Sequence, residues 1–171
     1  MSGSDFETAR QEHRAAVTSY LETARRVADD RWNEPVKPGA WSAGQISEHL
    51  RLSYAVFGGE LRGKPGLRIR TSWWMRLILR FRYLPQILSA GRIPEGAKAP
   101  REVRPDGGPF SRAETLAALE REAAECEVAI SERWGQPTAF ATHHVFGKLT
   151  PHQALRFATV HIRHHARQLR P

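Results

Sequence analysis

The chain has 171 residues, a formal net charge of +8, 40% hydrophobic residues and 26% charged residues. This length suits one domain around a single core, and the composition is that of an ordinary soluble globular protein. The single cysteine, Cys126, excludes an intramolecular disulfide framework. Because the N-terminus also lacks the basic start and apolar run of a signal peptide, we expect a cytoplasmic protein.

Two amphipathic helices are predicted in the first third of the chain. Apolar residues recur at three- and four-residue spacing over about 4–30, and a loop rich in proline and glycine follows. A second helix is expected from Ser42 to about Leu61, because Ser42 with Gln45 three residues on fits a capping box. On this helix His49 shares a face with apolar residues, so we expect His49 to point into the core.

The least ordinary stretch is 72–88, which combines eleven large apolar residues with Arg76, Arg80 and Arg82. It is too short and too often charged to span a bilayer. Such a helix covers an open side of the packed helices or forms a homodimer contact. Alternatively, it lies on a membrane surface or stacks on single-stranded nucleic acid. Specific nucleic-acid binding is not expected, since the arginines of the chain are scattered over several helices without a recognisable binding motif.

A long connection and a further helix follow this basic aromatic stretch. Residues 89–109 are rich in glycine and proline and predict an irregular loop able to roof a pocket. The region of about 64–110 is therefore an insertion made of the basic helix and this loop. Ser111 and Glu114 predict a second capping box, at the start of a helix that runs to Gly135.

The final helix carries three histidines within five positions. A turn over 138–150 precedes it, with Thr150 as the N-cap. At 100° per residue, its arginines gather on one side, whereas His161 and His165 lie on the apolar side, one turn apart. This spacing presents two imidazoles to one metal ion, but an isolated pair of this kind more often consists of core histidines bonded to neighbouring groups. His164 lies at the edge of the face.

Two motifs resemble the DinB/YfiT-like superfamily of metal-dependent four-helix-bundle proteins. They are Trp-Ser-x-x-x-Ile-x-x-His-Leu at 41–50 and His-x-x-x-His-x-x-Gln at 161–168. The segment from His144, His-Val-Phe-Gly-Lys-Leu-Thr-Pro, is similar to an uncharacterised branch with an H-P-x-F-G-x-L-T-P turn before the last helix. Here Val145 stands in place of that proline. The resemblance extends from about Phe6 to the end and implies an all-α, up-down type four-helix bundle (DinB-like), with an inserted helix and a long crossover loop.

The resemblance also implies one divalent ion held by His49, His161 and His165, with water completing the coordination. Three nitrogen ligands and an open position are typical of catalytic sites. Three imidazoles suit zinc, nickel, copper, cobalt and iron, of which we expect zinc or nickel. The chemistry implied is activation of a low-molecular-weight thiol or of water, in a thiol-dependent transferase or isomerase or in a hydrolase.

Several residues are candidates for supporting roles around this ion. Gln168 is placed to orient a ligand or an imidazole, and His144 and His164 are candidates for contacts with a ligand or a small-molecule substrate. No carboxylate is clearly placed as a general base, because Glu60 lies about three turns from His49. The alternative function is a non-catalytic binding or sensing bundle that uses its basic aromatic surface for a partner protein, nucleic acid or membrane.

Overall fold

The computed structural model describes residues 3–94, 96 and 98–169. Its elements in chain order are α1 (Gly3–Arg25), a 3-10 turn (Asp29–Arg31), α2 (Ala43–Leu61), α3 (Trp73–Ile78), a π-helical turn (Leu79–Tyr83), α4 (Leu84–Ala90), a 3-10 turn (Arg101–Val103), α5 (Arg112–Glu132), β1 (Ala141–His143), β2 (Gly147–Leu149) and α6 (Pro151–Ala166). Within the described residues, every helix is too short or too polar to cross a membrane.

The four long helices α1, α2, α5 and α6 form a bundle. Helix α2 packs mainly on α5 and α1 mainly on α6, and further contacts join α1 to α5 and α5 to α6. Each helix contributes a fully buried side chain to the common core: Tyr20, Leu50, Leu119 and Leu155. The predicted fold class, an all-α four-helix bundle with an inserted helix, is confirmed.

Polar residues begin these helices where the sequence predicts. Ser42 and Gln45 form a complete capping box, with bonds of 3.0 and 3.2 Å between each backbone N–H and the other side chain. Thr150 and Gln153 form a second one at α6, with bonds of 3.1 and 3.3 Å. At α5 the Ser111 hydroxyl accepts from the Glu114 N–H at 3.5 Å, and the reciprocal bond is not made among the described residues.

The helix ends differ from the sequence prediction at three places, one of which is α5, which ends at Glu132 rather than at Gly135. Helix α1 ends at Arg25 rather than near Asp30, and an irregular turn leads from it into the 3-10 turn at Asp29–Arg31. Helix α6 ends at Ala166, so Gln168 lies just beyond it rather than on it. Helix ends fray and shift with tertiary contacts, which local periodicity does not report.

The predicted turn over 138–150 contains a β-hairpin. Strands β1 and β2 are antiparallel, with Ala141 opposite Leu149 and His143 opposite Gly147. A two-stranded hairpin is marginal by itself, and this one is fastened to α2 by Glu60. The carboxylate of Glu60 accepts from the Thr142 backbone N–H at 2.5 Å and from its hydroxyl at 2.6 Å. Glu60 therefore anchors the hairpin.

The inserted helix covers one side of the bundle in an unexpected orientation. Leu84 and Ile87 are buried against the core. The Arg80 guanidinium donates to the carbonyl oxygens of Phe146 and Lys148 in the hairpin. The π-helical turn stands directly before Pro85, which has no N–H to donate to the preceding turn. The arginines of the inserted helix therefore have two different environments. Arg80 contacts the hairpin, whereas Arg82 is exposed to solvent.

Candidate metal centre

Three imidazoles from two helices converge at one end of the bundle. His49 of α2 and His165 of α6 are buried, and His161 of α6 is partly buried. The Nε2 atom of His161 lies 3.1 Å from Nε2 of His49 and 3.1 Å from Nε2 of His165. All three candidate ligand atoms lie within 4.8 Å of one another. The structure therefore brings together the three histidines that the sequence analysis selected.

Hydrogen bonds from Nδ1 of His49 and His165 determine the tautomer of each ring. The tautomer decides which ring nitrogen has a free lone pair. The Nδ1–H of His49 donates to the Val103 carbonyl oxygen at 2.7 Å. The Nδ1–H of His165 donates to Gln168 Oε1 at 2.7 Å. In a neutral imidazole this leaves Nε2 unprotonated. Both Nε2 atoms are therefore acceptors that point at His161.

This arrangement leaves a conflict that a cation resolves. Nε2 of His161 carries at most one proton, so it can donate to His49 or to His165 but not to both. The other 3.1 Å contact then leaves a lone pair facing a nitrogen that has no free proton to donate to it, which is repulsive. A divalent ion shared by three lone pairs removes that repulsion, and tetrahedral zinc with bonds of about 2.0–2.1 Å sets nitrogen ligands roughly 3.3 Å apart. The donor set thus fits a divalent ion.

The protonation of the three histidines also favours metal binding. Burial lowers the pKa of His49, although the bond to Val103 opposes this shift. Burial and then the neighbouring rings lower the pKa of His161 well below its usual value. Burial lowers the pKa of His165 to about 3. At neutral pH all three rings are therefore neutral, which is the form that binds metals.

The histidines form part of the wall of a cavity of about 1080 Å³. The long loop reaches over it, as the sequence analysis expects, and Val103 and Arg104 belong to its lining. The apolar walls include aromatic residues from five parts of the chain: Trp41, Phe57, Tyr83, Phe146 and Phe157. The charged lining is basic, with Lys37, Lys98, Arg104 and Arg167, and none of the described lining residues is acidic.

The hairpin brings His143 and His144 to the same cavity. His143 is a residue to which the sequence analysis gave no role; its ring stacks on Phe146 with centroids 4.8 Å apart, and burial lowers its pKa to about 3. Its Nδ1 accepts from the backbone N–H groups of Val145 and Phe146 at 3.2 and 3.4 Å, so the ring proton lies on Nε2. His144 is partly buried and lines the cavity, as a substrate-contacting residue would.

The remaining candidates lie in different surroundings. His164 accepts from the Gln168 amide at 3.1 Å, so it supports the group that orients His165. His13 is buried on α1, where its Nε2 lies 3.0 Å from the Tyr54 hydroxyl. Cys126 is buried in α5, and burial raises the pKa of its thiol to about 12, which agrees with a packed thiol rather than a nucleophile.

Fold and site together define a four-helix bundle with three inward-facing histidines at one end, beside a large cavity. A family model for the DinB superfamily matches residues 6–169. The chain belongs to the DinB superfamily.

The comparison with solved structures agrees on the fold. The crystal structure of TT2238, a four-helix bundle protein, superposes with a TM-score of 0.61 at 21% identity, covering 95% of each chain. At this identity the likeness concerns the fold alone. No curated protein sequence matches the chain at a significant level.

Proposed function

We propose that the chain, acting as one domain over residues 1–171, is a divalent-metal-dependent enzyme whose ion is held by His49, His161 and His165. The observation that carries this proposal is the convergence of three Nε2 atoms. On His49 and His165, the Nδ1–H donates to Val103 and Gln168, so each Nε2 keeps a lone pair for a metal ion. Bonds of this kind are the usual outer support of metal-binding imidazoles. Zinc or nickel is the ion we expect.

The reaction we propose is activation of a low-molecular-weight thiol or of water. A divalent ion at this position would supply Lewis-acid chemistry, which lowers the pKa of a bound thiol or water. The chain itself orients the three imidazoles, surrounds the ligand with apolar aromatic walls and attracts anionic ligands through Lys37, Arg104 and Arg167.

The charged lining favours thiol activation over hydrolysis. Zinc-dependent hydrolysis of the H-E-x-x-H type uses a carboxylate as general base, and no Asp or Glu is found among the described cavity-lining residues. Glu60, the carboxylate nearest in sequence on the His49 face, is bonded to Thr142 instead. A thiol that becomes a nucleophile by losing its proton to solvent needs no such base.

The first test is the metal content of protein purified without a histidine tag, by mass spectrometry. We expect about one equivalent per chain, lost in His161→Ala and retained in His152→Ala, a matched change in the first turn of the same helix. Loss in both variants, or in neither, would contradict the ligand assignment.

The second test asks whether the metal-loaded protein binds a thiol, as the proposed reaction requires. Metal-loaded and chelated protein are titrated calorimetrically with a panel of small thiols, beginning with cysteine. We expect binding only to the loaded form. A metal-loaded protein that binds no thiol in the panel would favour the non-catalytic sensing bundle over the thiol-dependent enzyme.

A further inference from the structure

The net positive charge of the chain is concentrated in one segment. Residues 61–94 contain eight of the lysines and arginines and no aspartate or glutamate. The rest of the chain has 18 basic and 18 acidic residues, so its formal charge is zero. Basic residues do occur on several helices, as the sequence analysis notes, but the excess of +8 lies entirely within 61–94.

The same segment exposes most of the large apolar side chains on the surface. Ten such side chains are exposed among the described residues, and eight belong to 61–94: Ile69, Trp73, Trp74, Met75, Leu77, Ile78, Phe81 and Tyr83. Trp73 is 68% exposed and Phe81 is 72% exposed. Apolar side chains clustered in this way on a soluble domain mark a binding surface. We call the exposed surface formed by residues 73–83 the basic aromatic surface.

The orientation of the inserted helix explains why this apolar surface faces outward. Arg80 is held against the hairpin by its bonds to carbonyl oxygens. The Arg76 side chain lies close to Gly147, also in the hairpin. Leu84 and Ile87 take the core-facing positions further along. Because these contacts fix the helix, Trp73, Trp74, Leu77, Ile78 and Phe81 are left in solvent.

The same segment carries exposed arginines outside any ion pair among the described residues. Arg68, Arg82 and Arg92 are exposed, and they form no ion pair with any residue that the structure describes. Exposed tryptophan, phenylalanine and leucine beside lysine and arginine are typical of helices that lie in the plane of a membrane interface. Basic residues at such a position are attracted by anionic lipid headgroups.

We propose that the basic aromatic surface binds the surface of an anionic lipid membrane. Two other occupants fit the observations less well. A second copy of the chain would bring two excesses of +8 together, at a cost in electrostatic repulsion. Single-stranded nucleic acid would stack on Trp73, Trp74 and Phe81 but would leave Leu77 and Ile78 without apolar partners. A membrane interface accommodates both the charge and the aliphatic side chains.

The test is flotation of the full chain with vesicles of phosphatidylcholine alone or mixed with phosphatidylglycerol. We expect the chain to float with the mixed vesicles and not with the neutral ones. The variant Trp73→Glu/Phe81→Glu should lower the bound fraction at least tenfold. Val36→Glu and Val128→Glu, at apolar residues 46% and 50% exposed outside the segment, should bind as the unchanged chain does. Circular dichroism confirms that each variant folds.

Three outcomes would overturn the proposal. One is equal flotation of Trp73→Glu/Phe81→Glu and the valine controls, which would show that the binding is non-specific charge attraction. A second is a dimer in sedimentation equilibrium that dissociates in Trp73→Glu/Phe81→Glu, without vesicle binding. The third is binding to single-stranded RNA through the same residues, without vesicle binding. All measurements are made with and without a chelator, so the result is independent of the metal site.

Discussion

At the scale of single residues, the candidate site depends on where the ring protons lie. Val103 and Gln168 each accept an Nδ1–H, and so they turn the Nε2 lone pairs of His49 and His165 toward His161. Neither partner is itself a candidate ligand. The Val103 carbonyl comes from the loop and Gln168 from just beyond α6, so the orientation of the site depends on residues outside the helices.

Replacing Gln168 by alanine removes the acceptor that holds His165. We expect the dissociation constant for zinc to rise about 10- to 100-fold, the usual effect of losing such a partner. The measurement is competition with a chromophoric chelator. Gln86→Ala, at an exposed glutamine of α4, serves as the control and should bind zinc unchanged. Unchanged affinity in Gln168→Ala would show that the amide does not orient the ring.

The buried histidines also predict the pH dependence of stability. The pKa of His165 is about 3 in the folded chain and about 6.5 when unfolded, so the unfolded chain binds the proton more tightly. The free energy of unfolding of the metal-free protein should therefore be largest above pH 6.5 and fall as the pH drops toward 3. The slope is at most about 1.4 kcal/mol per pH unit for each such histidine.

This acid dependence is measured by urea unfolding over a series of pH values. His165→Gln cannot titrate at this position, and we expect its stability to fall less steeply between pH 6.5 and pH 4.5. Gln86→Ala, a change that removes no titratable group, is the control with a steep dependence like that of the unchanged chain. Equal slopes in all three proteins would mean that the His165 ring is not held neutral in the folded state.

At the scale of elements, two adjacent glycines of α2 have opposite surroundings. A Cβ on Gly58 would lie 3.0 Å from the Cα of Cys126, in the backbone of α5. A Cβ on Gly59 would lie 3.3 Å from Cδ of Lys64, an exposed and flexible side chain. Gly58 therefore sets how closely α2 and α5 approach, and Gly59 does not.

The substitution Gly58→Ala should destabilise the bundle although alanine is the better helix former. We expect a loss of about 1–3 kcal/mol, as for other overpacked interiors. Gly59→Ala, the matched change, should be neutral or stabilising by up to about 1 kcal/mol through helix propensity. Chemical unfolding measures both. A Gly58→Ala variant as stable as Gly59→Ala would show that α2 and α5 separate at no cost.

At the scale of the whole molecule, the core and the candidate site are distinct. The buried apolar residues extend through α1, α2, α5 and α6, whereas the three histidines occupy one end of the bundle. This predicts a chain that folds without metal and is further stabilised by it. Glu60 and Arg80 tie the hairpin to this framework, and they do so without the candidate ligands.

Zinc should therefore raise the thermal midpoint without changing helix content. At a free concentration 100 times its dissociation constant, the ion should add about 2.7 kcal/mol to the free energy of unfolding. Calorimetry measures the shift, and His161→Ala should show little of it. A chain that loses its circular dichroism signal on chelation would indicate instead that the metal is required for folding.

Local patterns in the sequence were sufficient for the helices and for the inward faces of the three histidines, and the family resemblance supplied the bundle and the ligand set. Capping boxes at Ser42 and Thr150 depend on residues three positions apart, and a helical face depends on residues within two or three turns. The same periodicity put His49, His161 and His165 on inward faces. These features are short-range, so a single sequence contains them.

The tertiary structure alone decided the hairpin, the role of Glu60, the place of His143 and the outward orientation of the inserted helix. Strands of three residues are too short to show an alternating pattern, and the hairpin depends on a carboxylate 82 positions away. The inserted helix turns Arg80 toward the hairpin because carbonyl oxygens more than 60 residues away accept from its guanidinium. Contacts between distant positions leave no periodic signal in one sequence, which is why only the folded chain reveals them.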